Sequence, residues 1–130
     1  MPPTNLPAPI VDFISLHIQS VEQLEVLVLL HRDPQSLWTA KRAYDVVLSA
    51  LPSVQRWLDD LTRRGLIQKS ADGVERYQAS PDETVRSQVA QLAECYRNTP
   101  VRVIEAIYRR ESSAVQSFAD AFKLKNPDKP

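Results

Sequence analysis

The residues able to do chemistry gather between positions 32 and 79, where the chain carries eight Lys or Arg against six acids, a net of +2. Residues 1–31 hold three acids and no Lys or Arg, and the whole chain of 130 residues is neutral. Guanidinium and ammonium groups gathered on short helices suit anionic, hydrogen-bonding partners, and the order of elements in this stretch narrows the choice. Thr39 is a helix cap, and Ala40, Ala43, Tyr44 and Val47 share one face of a helix over 40–47. Leu48–Leu51 forms a turn. A second helix starts between Ala50 and Ser53, because Pro52 is tolerated only in a first turn. Val54, Trp57, Leu58 and Leu61 form its inner stripe. Gly65 stops it, with Arg63 and Arg64 complementing the negative helix end. Leu66–Ser70 and Val74–Ala79 pair around Ala71-Asp72-Gly73, and Asp-Gly is a strong hairpin signal. Helix, tight turn, helix, glycine stop and hairpin are the order of a winged helix-turn-helix, whose second helix is shaped to enter a DNA major groove.

Other chemistries find no footing. The sequence has no G-x-S-x-G, no phosphate loop and no Cys-His pair in a plausible context, so no enzyme is expected. His17 and His31 lack companions at metal-ligand spacing, and neither metal nor cofactor is expected. Cys95 lies beside an apolar stripe and reads as a buried, inert thiol, with Glu94 raising its pKa. A single cysteine excludes an internal disulfide. No uncharged apolar run approaches the roughly 18 residues of a membrane span, and the N-terminus lacks a basic start, which together predict a cytoplasmic protein.

The flanks must support this centre. Residues 1–9 contain four prolines and predict a mobile arm. Ile10–Ile18 fits either a short helix or an edge strand. Ser20 and Gln23 have capping-box spacing and open a helix that is nearly apolar all round, hence central, until Asp33-Pro34 ends it. Ser80-Pro81-Asp82-Glu83 gives a cap, a first-turn proline and first-turn acids. The helix that follows carries Val85, Val89, Leu92, Ala93 and Tyr96. Thr99-Pro100 breaks it and starts another with Val103, Ile104, Ile107 and Tyr108. Ser112 or Ser113 opens a last helix with Val115, Phe118, Ala119 and Phe122. The expected organisation is an arm and lead-in element over 1–19, a winged helix-turn-helix over 20–80, and a C-terminal helical extension over 81–130. The fold class is mainly α with a small β-hairpin wing. The extension's apolar stripes either wrap the core or form a two-fold seam, and dimerisation is the favoured use.

The core resembles bacterial winged helix-turn-helix transcriptional regulators of the broad kind that includes the MarR family. The resemblance rests on Trp38-Thr39-Ala40, the Val54-x-x-x-Leu58-x-x-Leu61 stripe, Arg64-Gly65-Leu66-Ile67 and the Asp72-Gly73 tip, and covers about residues 20–79. The chain departs from MarR proteins in lacking a long amphipathic helix before the core and in its short, arginine-poor wing. The resemblance implies a homodimeric regulator that binds double-stranded DNA. It implies groove contact by the exposed face of the second helix: Ser53, Gln55, Arg56, Asp59, Thr62 and Arg63. Gln55 would pair with an adenine edge and Arg56 with guanine, each worth about 1–3 kcal/mol of discrimination, with Asp59 either accepting from cytosine or neutralising Arg56 and Arg63. Thr39, Lys41 and Arg42 would meet phosphates, and Lys69 and Arg76 would flank the wing. Neutral net charge and Asp59-Asp60 on that helix instead favour a winged-helix module that binds a protein partner.

Overall fold

A computed structural model describes residues 6–70 and 75–109. Pro7 precedes α1 (Ala8–His17), so residues 10–17 are helical rather than a strand, with Ile18 as the extended cap, and Ile10, Phe13 and Ile14 are the helix's buried face. The chain then bends by 111° into α2 (Val21–Arg32). Ser20 caps α2 by accepting from the Gln23 backbone N–H at 3.0 Å, as the capping-box spacing requires. Leu24, Val26, Leu27, Leu29 and Leu30 are all buried, because α2 packs against α3 (Ala40–Val47), α4 (Leu51–Arg63) and α5 (Glu83–Asn98) at once. No single helix among the described residues is long and apolar enough to cross a membrane.

The helix-turn-helix forms where its local signals place it. Thr39 caps α3 by accepting from Arg42 N–H at 3.1 Å, and Pro52 sits in the first turn of α4. Ala43 is fully buried and has no bulk to hold the two helices apart. The elbow between them passes through Leu48, at φ 58° and ψ 45°, a left-handed conformation in a residue that is not glycine. Gly65, at φ 78°, ends α4. Its N–H donates to Thr62 O at 3.0 Å and Leu66 N–H donates to Leu61 O at 3.1 Å, the paired bonds of a Schellman motif.

β1 (Ile67–Lys69) and β2 (Tyr77–Ala79) then pair antiparallel, with Ile67 opposite Ala79 and Lys69 opposite Tyr77. Trp38 adds one bridge to the far side of β2: its N–H donates to Tyr77 O at 2.8 Å, and Tyr77 N–H donates back at 2.7 Å. The wing is therefore stitched to the entrance of α3. The tip carrying Asp72 and Gly73 lies outside the described residues, as does the helix expected after Ser112.

The start of α5 corrects the sequence reading. Asp82, not Ser80, is the cap: its carboxylate accepts from Thr84 and Val85 N–H at 2.8 and 3.3 Å. Ser80 Oγ accepts from Asp82 N–H at 3.1 Å instead, so Pro81 falls before the helix. A last described helix, α6, starts at residue 100 and is followed to residue 109. Val89, Leu92, Val103 and Ile107 join the core, so part of the stripe offered as a dimer seam packs within the chain itself. Val101 and Tyr108 remain 64% and 58% exposed.

Candidate nucleic-acid interface

One turn of helix every 3.6 residues sets which side chains of α4 face away from the core. Val54, Leu58 and Leu61 are fully buried and define the inner direction. Pro52, Arg56, Asp59 and Arg63, at spacings of four, three and four, lie opposite them and are all exposed. Gln55 and Thr62 occupy the flank towards the wing; Ser53 and Asp60 occupy the flank towards α2. Trp57 sits about 60° from the centre of the inner stripe. It is half-buried and lies outside the core cluster, which corrects its expected role as a core anchor. Trp38 does belong to the core.

Asp60 is buried, and its carboxylate is the hub of the inner flank. It accepts from Arg63 Nη2 at 2.9 Å, from Arg64 Nε at 2.8 Å and from Gln23 Nε2 at 2.8 Å. Burial pushes this carboxyl up, but the hydrogen bonds and charges of Arg64 and Arg63 outweigh it and hold the group below the usual carboxylate range. Arg63 is thus paired with Asp60, not with Asp59 as its spacing suggested. Gln23, itself fully buried, also donates to His17 O at 2.9 Å and accepts from Gln19 N–H, while Arg64 Nη1 donates to Leu16 O at 3.2 Å. Together these bonds join the end of α1, the start of α2 and the end of α4.

The outer flank is held by different chemistry. Tyr77 is fully buried, yet its hydroxyl reaches α4. It donates to Asp59 Oδ1 at 2.8 Å and accepts from Gln55 Nε2 at 2.8 Å, and that amide also donates to Asp59 Oδ1 at 3.2 Å. Burial first, then the bond to Asp59, push the phenol's pKa up to about 12. Asp59 therefore answers to the wing rather than to Arg56 or Arg63. Gln55 is half-buried and engaged, which departs from a side chain open to a base edge. Arg56 is exposed, makes no ion pair among the described residues, and lies 5.9 Å from the Trp57 ring centre.

The residues expected at phosphates are variously placed. Lys41 is exposed and pairs with Asp45 at 3.1 Å. Arg42 stacks 3.9 Å above the Trp38 ring and donates to Leu37 O at 2.8 Å, so it braces the entrance to α3. Lys69 pairs with Glu75 at 3.7 Å and lies 5.7 Å from the Tyr77 ring centre. Arg76 is half-buried. Ser53 Oγ donates to Glu22 Oε1 at 2.9 Å, and Ser49 Oγ donates to Glu22 Oε2, so a single carboxylate of α2 clamps both sides of the elbow. Exposed pairs such as Lys41–Asp45 contribute about 0–1 kcal/mol and yield readily to a phosphate. Sequence reasoning missed Tyr77, Asp60 and Glu22. The period-two spacing of Tyr77 and Ala79 along the second strand was the available signal for its burial, and a buried phenol demands a partner.

Two crossed helices, a Schellman exit and a hairpin docked on the second helix define this molecule as a winged helix-turn-helix protein with helical flanks. No family model matches the sequence, and no curated protein matches it. Solved structures do share the fold. The chain is similar to the MarR family transcriptional regulator SPO1453 from Silicibacter pomeroyi DSS-3, at 20% identity and a TM-score of 0.54, covering 85% of this chain and 82% of that one. It is also similar to MepR, a transcription regulator of the Staphylococcus aureus multidrug efflux pump MepA, at 17% identity and a TM-score of 0.53, covering 92% of this chain and 87% of that one. The fold is thus that of MarR-type winged helix proteins, including the flanking helices that the sequence resemblance did not reach.

Proposed function

We propose that the chain is a DNA-binding transcriptional regulator that presents α4 to a major groove, with the start of α3 and the wing alongside the phosphates. The observation that carries this reading is Arg56: an exposed guanidinium on the outward face of α4, without an ion pair among the described residues, beside a wing that is fastened to the same helix. The shared fold with two transcription regulators supports it. Of the expected contact residues, Thr39, Lys41, Arg42, Ser53, Arg56, Arg63, Lys69 and Arg76 are the proposed direct contacts, with Gln55 and Asp59 on the same face but engaged with the wing; Lys41 has an exposed pair to exchange for a phosphate. We further propose that it works as a homodimer. Val11 and Leu16 on α1, with Val101 and Tyr108 on α6, are among the exposed apolar residues left once the core is filled. Sedimentation of the full chain at a dimer mass supports this pairing, and a monomer removes it.

A second reading, a winged-helix module for a protein partner, draws on the acids that face Lys41, Arg63 and Lys69. A mobility-shift assay on random duplex at roughly 50 mM salt separates the two. Salt-sensitive binding, weakened about tenfold in Arg56→Ala and less in Lys41→Ala, supports DNA. No shift at that salt moves the assignment to the protein partner.

A further inference from the structure

We propose that Tyr77 is a positioning residue that sets which side chains of α4 meet the bases, holding Gln55 and Asp59 back at the wing so that readout is concentrated on Arg56. This rests on the DNA-binding reading above. The geometry is a closed triangle: phenol to carboxylate at 2.8 Å, amide to phenol at 2.8 Å, amide to carboxylate at 3.2 Å. An amide reads adenine by donating from its nitrogen while accepting with its oxygen. The Gln55 nitrogen donates to Tyr77 Oη and lies within hydrogen-bond distance of Asp59 Oδ1, so the amide is turned towards this pair. Gln55 is therefore withheld from the groove in this arrangement. Asp59 stands three residues after Arg56, a spacing at which acid and base pair along a helix. Its Oδ1 instead serves Tyr77 and Gln55, and Arg56 is left unpaired among the described residues.

The ring of Tyr77 is fully buried and its hydroxyl is the only part that touches α4's polar face in this network. Deleting the hydroxyl therefore removes both bonds that tie these α4 side chains to Tyr77, leaving them only their weaker mutual contact at 3.2 Å, while the ring keeps its packing. Gln55 becomes free to read a base, and Asp59 becomes free to pair with Arg56.

The test is selection from a pool of random duplexes with the full chain, followed by affinity measurements on the enriched sites over a range of salt. Tyr77→Phe is expected to lose about tenfold in discrimination at the base read by Arg56 and to gain a preference at a neighbouring base. Its salt slope stays unchanged, because phosphate contacts are untouched. Adding Asp59→Asn to Tyr77→Phe restores the Arg56 preference. Gln55→Ala leaves the wild-type motif unaltered and removes the new preference of Tyr77→Phe. A folded Tyr77→Phe chain with the wild-type motif, or one weakened equally on every sequence, overturns the inference while the DNA-binding reading stands. Wild-type protein that binds no duplex removes both.

Discussion

Asp59 and Asp60 are adjacent in the chain and live in opposite worlds. Asp60 is buried beneath α4, faces two guanidinium groups and an amide, and joins three helices. Asp59 is exposed on the outer side, faces a phenol and an amide among the described residues, and joins one helix to a hairpin. The inner carboxylate has its charge compensated within the fold. The outer one meets uncharged donors, on the surface that the proposed function turns to DNA. A helix can thus be cemented on one flank and adjustable on the other within a single residue step, because 100° of rotation moves a side chain from interior to surface.

The sharpest way to break this contrast is Asp60→Ala. It leaves Arg64 and the buried Gln23 amide without their acceptor, and should lower unfolding free energy by about 3 kcal/mol in denaturant titrations. A loss under about 1 kcal/mol would make the two carboxylates equivalent. Acid is a gentler probe. Burial lowers the pKa of His17, aided by Arg64, and burial also lowers that of His31, whose Nε2 lies 2.8 Å from Leu66 O. A histidine depressed in the folded state binds protons more readily when unfolded, so stability is full above pH 6.5 and falls as pH drops from there towards the folded-state values. Asp60 is depressed in the folded state, so its contribution is retained down to about pH 4 and lost only below, as pH falls through its folded value. Denaturant midpoints at pH 7.5, 6 and 3 should show two separate losses, and His31→Gln should shrink the first. The smallest effect belongs to Asp59→Asn: stability within about 0.5 kcal/mol of wild type, read by thermal unfolding. A large loss there would show that the outer network is structural cement as well.

Local signals in the sequence translated directly into structure. Ser20, Thr39 and Gly65 fix helix ends through bonds to residues within a few positions, and Pro52 fixes one through the N–H it lacks, so spacing alone identifies them. The stripe of Val54, Leu58 and Leu61 gave the inner face of α4. What spacing could not give was the identity of the neighbour on each flank. Trp57 looked interior because it follows Val54 by three, yet it is only half-buried where Leu58 is fully buried. Tyr77 met Gln55 across 22 positions, and Gln23 met Asp60 across 37, contacts that no helical period encodes. Asp82 displaced Ser80 as the cap of α5 because both are good caps, and the path of the strand exit decides between them.

The buried Gln23 amide has a mechanical consequence. It grips His17 O at the end of α1 and Asp60 in α4 with the same nitrogen, and Arg64 returns the grip to Leu16 O. Force applied to the N-terminal helix is therefore delivered to α4 through links one or two hydrogen bonds long, with no loop in between to absorb it. A load on α1 would therefore be felt at α4 without first deforming the turn that joins α1 to α2.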